Sequence, residues 1–390
     1  MSELLESRWS DTKSALLEGL SGTKKSVMAT TLENTRKYLS ESAGAGATSA
    51  GNVATLNRVI LPVIRRVMPT VIANELVGVQ PMTGPVGQIH TLRVRYADTF
   101  NDGASGATAG EEALSPFKIA ESYSGATTGK AANTAALEGA AGNKLSIQIL
   151  KQTVEAKSRK LSARWTFEAA QDAQSMHGID VEAEIMAALA QEITAEIDQE
   201  VLGSLATLAG TAAETYDQQA VSGTATFVGD EHAALAVQIN RASNLIAQRT
   251  RRGAGNWAVV SPFALTILQS ATTSAFARTT EGVFEAPTNT KMVGTLNNAM
   301  KVYVNTYAAD SSPVLIGYKG ASESDAAAFY CPYIPLMSSG VVLDPTSFEP
   351  VVSFMTRYGY VELNNTASSL GNAADYLANV AITDTSVSFS

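Results

Sequence analysis

FYCPYIPLMSSGVVLDPTSFEPVVSFMTRYGY (Phe329–Tyr360) is the best-patterned stretch of this chain. Its second half, PVVSFMTRYGYVEL (Pro350–Leu363), predicts an extended strand. Val351, Phe354, Tyr358 and Tyr360 are β-branched or aromatic, and Pro350 marks the entry. Cys331 sits between Tyr330 and Pro332 and reads as a small buried apolar residue. It is the single cysteine, so an intrachain disulfide and a thiolate zinc cluster are both excluded.

Upstream of this stretch the strongest helix signal begins at Asp180, a good N-cap, with Glu182 and Glu184 where a helix dipole favours acid. Ile185, Leu189, Ile193, Ile197 and Val201 then step by four, and Leu205 and Leu208 continue the stripe. A helix over residues 180–208 is roughly 43 Å long, and its one apolar face needs a partner. A second amphipathic helix is expected over residues 231–252, with Leu235, Ile239, Ala242 and Ile246 on one face and Gly253 as a stop. Arg249, Arg251 and Arg252 crowd its end and are read as offsetting its negative pole rather than contacting nucleic acid. Beyond it, Asn256–Ser261, Met300–Tyr307 and Pro313–Lys319 are strand-like, and Pro262 opens a helix. The alternation makes the chain α+β with mixed pairing.

Toward the N-terminus, Leu92, Val94 and Tyr96 alternate with polar residues, as in a half-buried strand. The chain returns as a strand from Lys144, where Leu145, Ile147 and Ile149 alternate. Residues 97–143 between them hold seven glycines and no periodic pattern. The three pieces predict a long hairpin-like loop with a flexible tip. Pro62 and Pro69 break the apolar run before it into short helices. Residues 1–41 carry six basic and six acidic side chains on a helical pattern, and SAGAGATSAGN (Ser42–Asn52) follows as a small-residue linker.

Chemistry-bearing motifs are scarce. His90, His177 and His232 are the only histidines, and none has a second His or Cys at ligand spacing, so no metal site is expected. No G-x-S-x-G elbow is present. The run Gly125–Lys130 has one residue too few for a phosphate loop, and Ala131 replaces the magnesium-binding hydroxyl. No catalytic residue and no cofactor are therefore assigned. The net charge of −9 provides no overall basic field for nucleic acid. No apolar run approaches the roughly 18 residues of a membrane span, and MSELLESRWSDTK lacks the pattern of a secretory signal.

Separated motifs in a fixed order resemble the major capsid proteins of T-even-type tailed phages. They are Val63–Pro69, Gly78–Met82, Pro85–Gln88, Val154–Arg159, Ala170–Asp172 with His177-Gly178, Tyr318-Lys319-Gly320, Phe329–Tyr333, Asp344-Pro345, Phe348, Pro350 and Thr356–Gly359. The resemblance covers most of residues 56–363, but the segment between Tyr96 and Val154 is too short for the globular insertion of T-even-type members. It implies a non-enzymatic shell protein with the Hong Kong 97-type capsid fold. Its expected parts are a scaffold-binding N-terminal segment (1–41), an N-terminal arm with linker (42–87) and an extended loop (88–153). A peripheral domain with the spine helix (154–230 and 336–363), an axial domain (231–335) and a C-terminal tail (364–390) complete the layout.

The implied partners are copies of the chain in hexamers and pentamers, a scaffold and prohead protease during assembly, and neighbouring vertex, portal or decoration proteins. Sequence-specific nucleic acid and membrane are not expected. The implied place is the virion, after assembly in the host cytoplasm. Relatives are cut after glutamate in Leu/Ile-x-Glu, and Leu39-Ser40-Glu41, followed by Ser42, is the favoured of three such sites. Candidate inter-subunit contacts are Arg65, Arg66, Arg93, Arg95, Arg159 and Arg357, although Arg65 and Arg66 could equally line the polar side of a short helix. The rival readings are a pentamer-forming vertex paralogue and a β-rich surface adhesin.

Overall fold

A computed structural model of the chain describes residues 22–43, 72–100, 142–177, 180–217, 228–271, 276–278, 291–363 (except 298, 324 and 348) and 373–383, with isolated positions within 9–17 and 106–138. In chain order the elements are α1 (Gly22–Ala43), α2 (Ala73–Leu76), β1 (Gly78–Val79), β2 (Val86–Tyr96), β3 (Leu145–Glu155), β4 (Lys157–Arg164), α3 (Phe167–His177), α4 (Val181–Ala209) and β5 (Glu214–Tyr216). Then come α5 (Val228–Thr250), β6 (Trp257–Val260), α6 (Pro262–Ser270), β7 (Phe276–Arg278), β8 (Lys291–Leu296), β9 (Met300–Val304) and β10 (Val314–Gly317). β11 (Ala328–Ser338), β12 (Val342–Leu343), β13 (Pro350–Glu362), a 3₁₀ turn (Ala373–Tyr376) and β14 (Leu377–Ile382) follow among the described residues. The class is α+β, as the alternation of periods predicts.

Two compact units interleave along the sequence: residues 1–87, 154–203 and 329–361 form one, and 88–153, 204–328 and 362–390 the other. The first is built on a five-stranded sheet in the order β1-β11-β13-β12, with β4 also on β13. The predicted Pro350–Leu363 strand is its long member. Residues 352, 354, 356 and 358 of β13 are buried and 351, 353, 355 and 357 half-buried, the period of a sheet with one covered face. α4 carries the stripe read from sequence: Ile193, Ile197 and Val201 are all buried. Its N-cap is Asp180, whose Oδ1 accepts the N–H groups of Glu182 (3.1 Å) and Ala183 (3.4 Å). α1 buries Val27, Met28, Thr31 and Leu32.

The second unit contains a seven-stranded sheet in the order β5-β14-β10-β6-β9-β8-β7, with β6 parallel to β9, β14 parallel to β5 and the other pairs antiparallel. Leu235, Ile239 and Ile246 of α5 and Ile267 of α6 close its core over Val260, Val302, Ile316 and Val380. Ser261 caps α6 by accepting the Ala264 N–H at 3.2 Å.

Several expectations need correction. Gly253 does not stop α5; Arg251 takes the left-handed turn at φ +54°. Gly253 instead makes room for Tyr318, whose ring carbon would lie 2.7 Å from an added Cβ. The strand returning from Lys144 is two strands, broken at Ala156, that pair with different partners: β3 with β2, and β4 with β13. Residues 364–390 are not merely a tail, because β14 sits inside the seven-stranded sheet. β11, most of which the expected layout places with residues 231–335, pairs with β1 and β13 in the first unit. The tip of the hairpin is more than loose chain. Tyr96, Ala107, Ala113 and Tyr123 form a small buried cluster there, and the Tyr123 hydroxyl donates to the Lys144 carbonyl at 2.6 Å.

Candidate assembly surfaces

β2 and β3 pair only with each other among the described residues. The Ala97 N–H donates to the Lys144 carbonyl at 2.9 Å. That bond sets an antiparallel register with Tyr96 opposite Leu145, Val94 opposite Ile147 and Leu92 opposite Ile149. All six fall on one face of the ribbon. Tyr96 is buried in the tip cluster, but Leu92, Leu145, Ile147 and Ile149 are 65%, 54%, 69% and 67% exposed. The alternation that predicts a half-buried strand is real, yet the face it marks is uncovered in the single chain. Four large aliphatic side chains in one ladder form an exposed apolar patch of the kind that marks an interaction site.

The first unit holds a polar clamp. Arg159 on β4 lies opposite Thr356 of β13, on the face that meets α4. Its Nε donates to the Tyr358 hydroxyl at 2.6 Å and its Nη1 to Glu196 at 2.8 Å, while Nη2 meets Glu200. The Tyr358 hydroxyl in turn donates to Glu200. Burial opposes the charge on both partners, but the hydrogen bonds outweigh it, so Arg159 is raised and Glu200 lowered from their ordinary pKa values. Burial raises Tyr358, so it stays a neutral donor.

Between Glu196 and Glu200 on α4, Asp198 is 1% exposed and accepts the backbone N–H of Ile72 at 2.9 Å, just ahead of α2. Its Oδ2 has no hydrogen-bond partner among the described residues. Burial pushes its carboxyl up to about 7, with the Ile72 N–H pulling the other way. Sequence reasoning reads Tyr358 only as a strand residue and gives no role to Asp198 or Glu200; for Asp198 the signal is a carboxylate beside an apolar stripe.

The other candidates are dispersed. Arg65 and Arg66 lie outside the described residues, and Arg93 is described only as part of β2. Arg95 is half-buried, and its carbonyl accepts the Ser146 hydroxyl at 3.4 Å. Arg357 stands over the Tyr333 ring, 5.3 Å from its centroid. Leu39, Ser40, Glu41 and Ser42 are in the last turns of α1, which runs on to Ala43, so no helix end falls between Glu41 and Ser42. His232 and Ser270 meet inside the second unit, in hydrogen-bond contact. Among the described residues no group of three His, Cys, Asp or Glu side chains could hold a metal ion, and no helix is long and apolar enough to cross a membrane.

A buried scaffold with an exposed apolar ribbon, and a central arginine committed to a structural tie, defines a protein built to pack against other surfaces. Comparison with known proteins agrees. The family model for the major capsid protein Gp23 matches residues 53–386. The major capsid protein of Enterobacteria phage T4 is 30% identical over 426 residues, covering 86% of this chain and 80% of its own. That of Salmonella phage ViI is 31% identical over 358 residues, covering 83% and 80%. Among solved structures, the capsid of Myoviridae phage XM1 covers 80% of this chain and 92% of its own at 12% identity and a TM-score of 0.45. Microbacterium phage Oxtober96 covers 80% and 90% at 14% identity and a TM-score of 0.47. The chain belongs to the Gp23 family of major capsid proteins. It is a structural protein of the phage head shell, with its place in the virion, in a family that is not one of enzymes.

Proposed function

We propose that copies of this chain close into hexamers, and into pentamers at vertices, through heterologous contacts, and that these rings tile the shell around packaged DNA. The observation that supports this most is the exposed ladder Leu92, Leu145, Ile147 and Ile149. Covering those side chains removes large aliphatic area from water at roughly 25 cal/mol per Å², and many modest contacts of this kind add up through multivalency. The domain scheme expected from the resemblance, with an extended loop, a peripheral and an axial part, belongs to this proposal. So do the contacts offered by Arg93, Arg95 and Arg357. Replacing Ile147 and Ile149 by Asp should leave a folded subunit with an unchanged circular dichroism spectrum that no longer forms particles in sedimentation or electron microscopy. Particles at normal yield would refute the role of the ladder.

The segment before Ser42 is proposed to hold the precursor on an internal scaffold until a prohead protease removes it, with vertex, portal or decoration proteins joining the shell. The charge balance of residues 1–41 and the small-residue linker after them support this. The helix through Ala43 adds a condition: the last turn of α1 must unwind before a protease can bind Glu41 in extended form. Mass spectrometry of mature particles should find a chain beginning at Ser42; an intact N-terminus excludes the processing step.

A further inference from the structure

α1 meets the rest of the first unit through one face. Val27, Met28, Thr31 and Leu32 are all buried, at the spacing of a single helix face. Lys25, Ser26 and Glu33 are exposed. Asn34, three residues after Thr31, continues the buried face and is itself half-buried. Its side-chain amide donates twice, to the Met82 carbonyl at 2.7 Å and to the Tyr333 carbonyl at 3.0 Å. A primary amide has two N–H donors, and both are used here.

The two carbonyls lie where the β1–β11 pairing runs out. That pairing extends past β1: the Gln80 N–H donates to the Tyr330 carbonyl at 3.1 Å and the Met82 N–H to the Pro332 carbonyl at 3.0 Å. Pro332 and Pro335 give β11 no N–H of their own. Donors are therefore scarce at this end of the ladder, and Asn34 supplies two. Met82 is buried, so its carbonyl without a donor would carry the cost of an unmatched polar group. Other contacts hold β11 here without α1. Arg357 stands over the Tyr333 ring, and the Thr356 hydroxyl donates to the Ile334 carbonyl at 3.1 Å.

Glu33, beside Asn34, ties α1 to the earlier part of its own segment. It accepts the Trp9 indole N–H at 3.4 Å and the Lys13 ammonium at 3.0 Å. The segment is thus held together by Glu33 and seated by Asn34 and four buried side chains. Such a contact needs no covalent link; a flexible tether only raises the local concentration, to about the millimolar range. We propose that the first unit holds a receptor seat for α1, a site for an amphipathic helix that presents a primary amide, so that cutting the chain and releasing the segment are separate events. The role of the seat rests on the processing reading above. A cut after Glu41 leaves α1 docked, and its later departure frees the Met82 and Tyr333 carbonyls.

Full-length chain with a site-specific protease sequence inserted after Ala43 tests it. Cut at about 0.1 mM, a tenth of what the tether supplies, the parent should keep its N-terminal fragment at one per chain in gel filtration. Asn34→Asp keeps the shape but loses both donors and should raise the dissociation constant of the fragment at least about tenfold. Asn34→Ala, which adds no charge, should do the same, and Ser26→Ala, on the exposed face, should behave as the parent. Peroxide oxidation followed by mass spectrometry gives a second readout. Met28 and Met82 are 2% and 6% exposed and should become reactive only when the fragment leaves, while Met300 of the second unit stays protected. A parent fragment that leaves as soon as the chain is cut, or Asn34 variants that retain it like the parent, overturns the seat. The inserted cut makes this result independent of natural processing: an intact N-terminus in mature particles ends the processing reading alone, and early loss of the fragment ends the seat alone.

Discussion

Asp198 is the residue on which the first unit's polar arrangement turns. It stands one turn after Thr194 on the buried side of α4, holds the Ile72 N–H, and leaves one oxygen unmatched. Its folded pKa of about 7 lies well above the 3.8 of an ordinary aspartate. A carboxyl raised in this way binds its proton more tightly in the native state. Its contribution to stability is fully present below about pH 4 and is lost as pH rises through about 7. Asp198→Asn keeps an oxygen to accept the Ile72 N–H and removes the buried charge. The variant should therefore match the parent near pH 4 and gain stability at pH 8, by up to about 4 kcal/mol, since each tenfold change in proton affinity is worth roughly 1.4 kcal/mol. Thermal melts across that range check it; curves that stay parallel from pH 4 to pH 8 would remove Asp198 as the cause. Tyr330 and Cys331 on β11 are raised by the same burial, the thiol to about 11, so neither titrates in that window.

Among the elements, α4 and the β2–β3 ribbon carry the same kind of pattern with opposite outcomes. Both show clean apolar periodicity. α4 buries its stripe, with Ile193 and Ile197 no more than 2% exposed, each worth roughly 1.5–3 kcal/mol against leaving it in water. The ribbon leaves its ladder uncovered. Placing a carboxylate in the middle of the α4 stripe, Ile193→Asp, should abolish soluble folded subunit, since an unpaired charge there has no partner to offset its desolvation. Normal yields of assembling protein would contradict the packing of α4. β4 is a third case. Its alternation separates Arg159, tied to Glu196 and Glu200, from Lys160 and Arg164, which face outward. One strand thus supplies a structural clamp on one face and solvent-facing positive charge on the other, because successive side chains point oppositely.

Across the molecule, neither unit is continuous in sequence. The seven-stranded sheet is complete only when β14 inserts between β5 and β10, with Ala378, Val380 and Ile382 entering the core. β14 is therefore an interior strand, and the second unit's core is incomplete without it. A central position also explains the run LANVAI, which is apolar at nearly every residue rather than alternating. That run is legible as strand material, but composition alone assigns it to a tail. Nothing in a local window says that residues 380 and 314 are neighbours.

Local patterns were enough to specify the kinds and near-boundaries of the regular elements. The α4 stripe, the α5 face, the Pro262 helix start and the Pro350–Glu362 strand follow from periods of 3.6 and 2 and from terminus chemistry, all of which act within a few residues. The family was legible too, since ordered motifs survive where overall identity is about 30%. Which apolar face is buried, and which charge is left facing solvent, emerged only from the folded arrangement. Leu145 and Ile193 look alike in a window, as do Arg159 and Arg164. What separates them is whether another element, tens or hundreds of residues away, packs there: burial and charge pairing are properties of non-local contacts, and those are set by how the elements fold together rather than by any one of them.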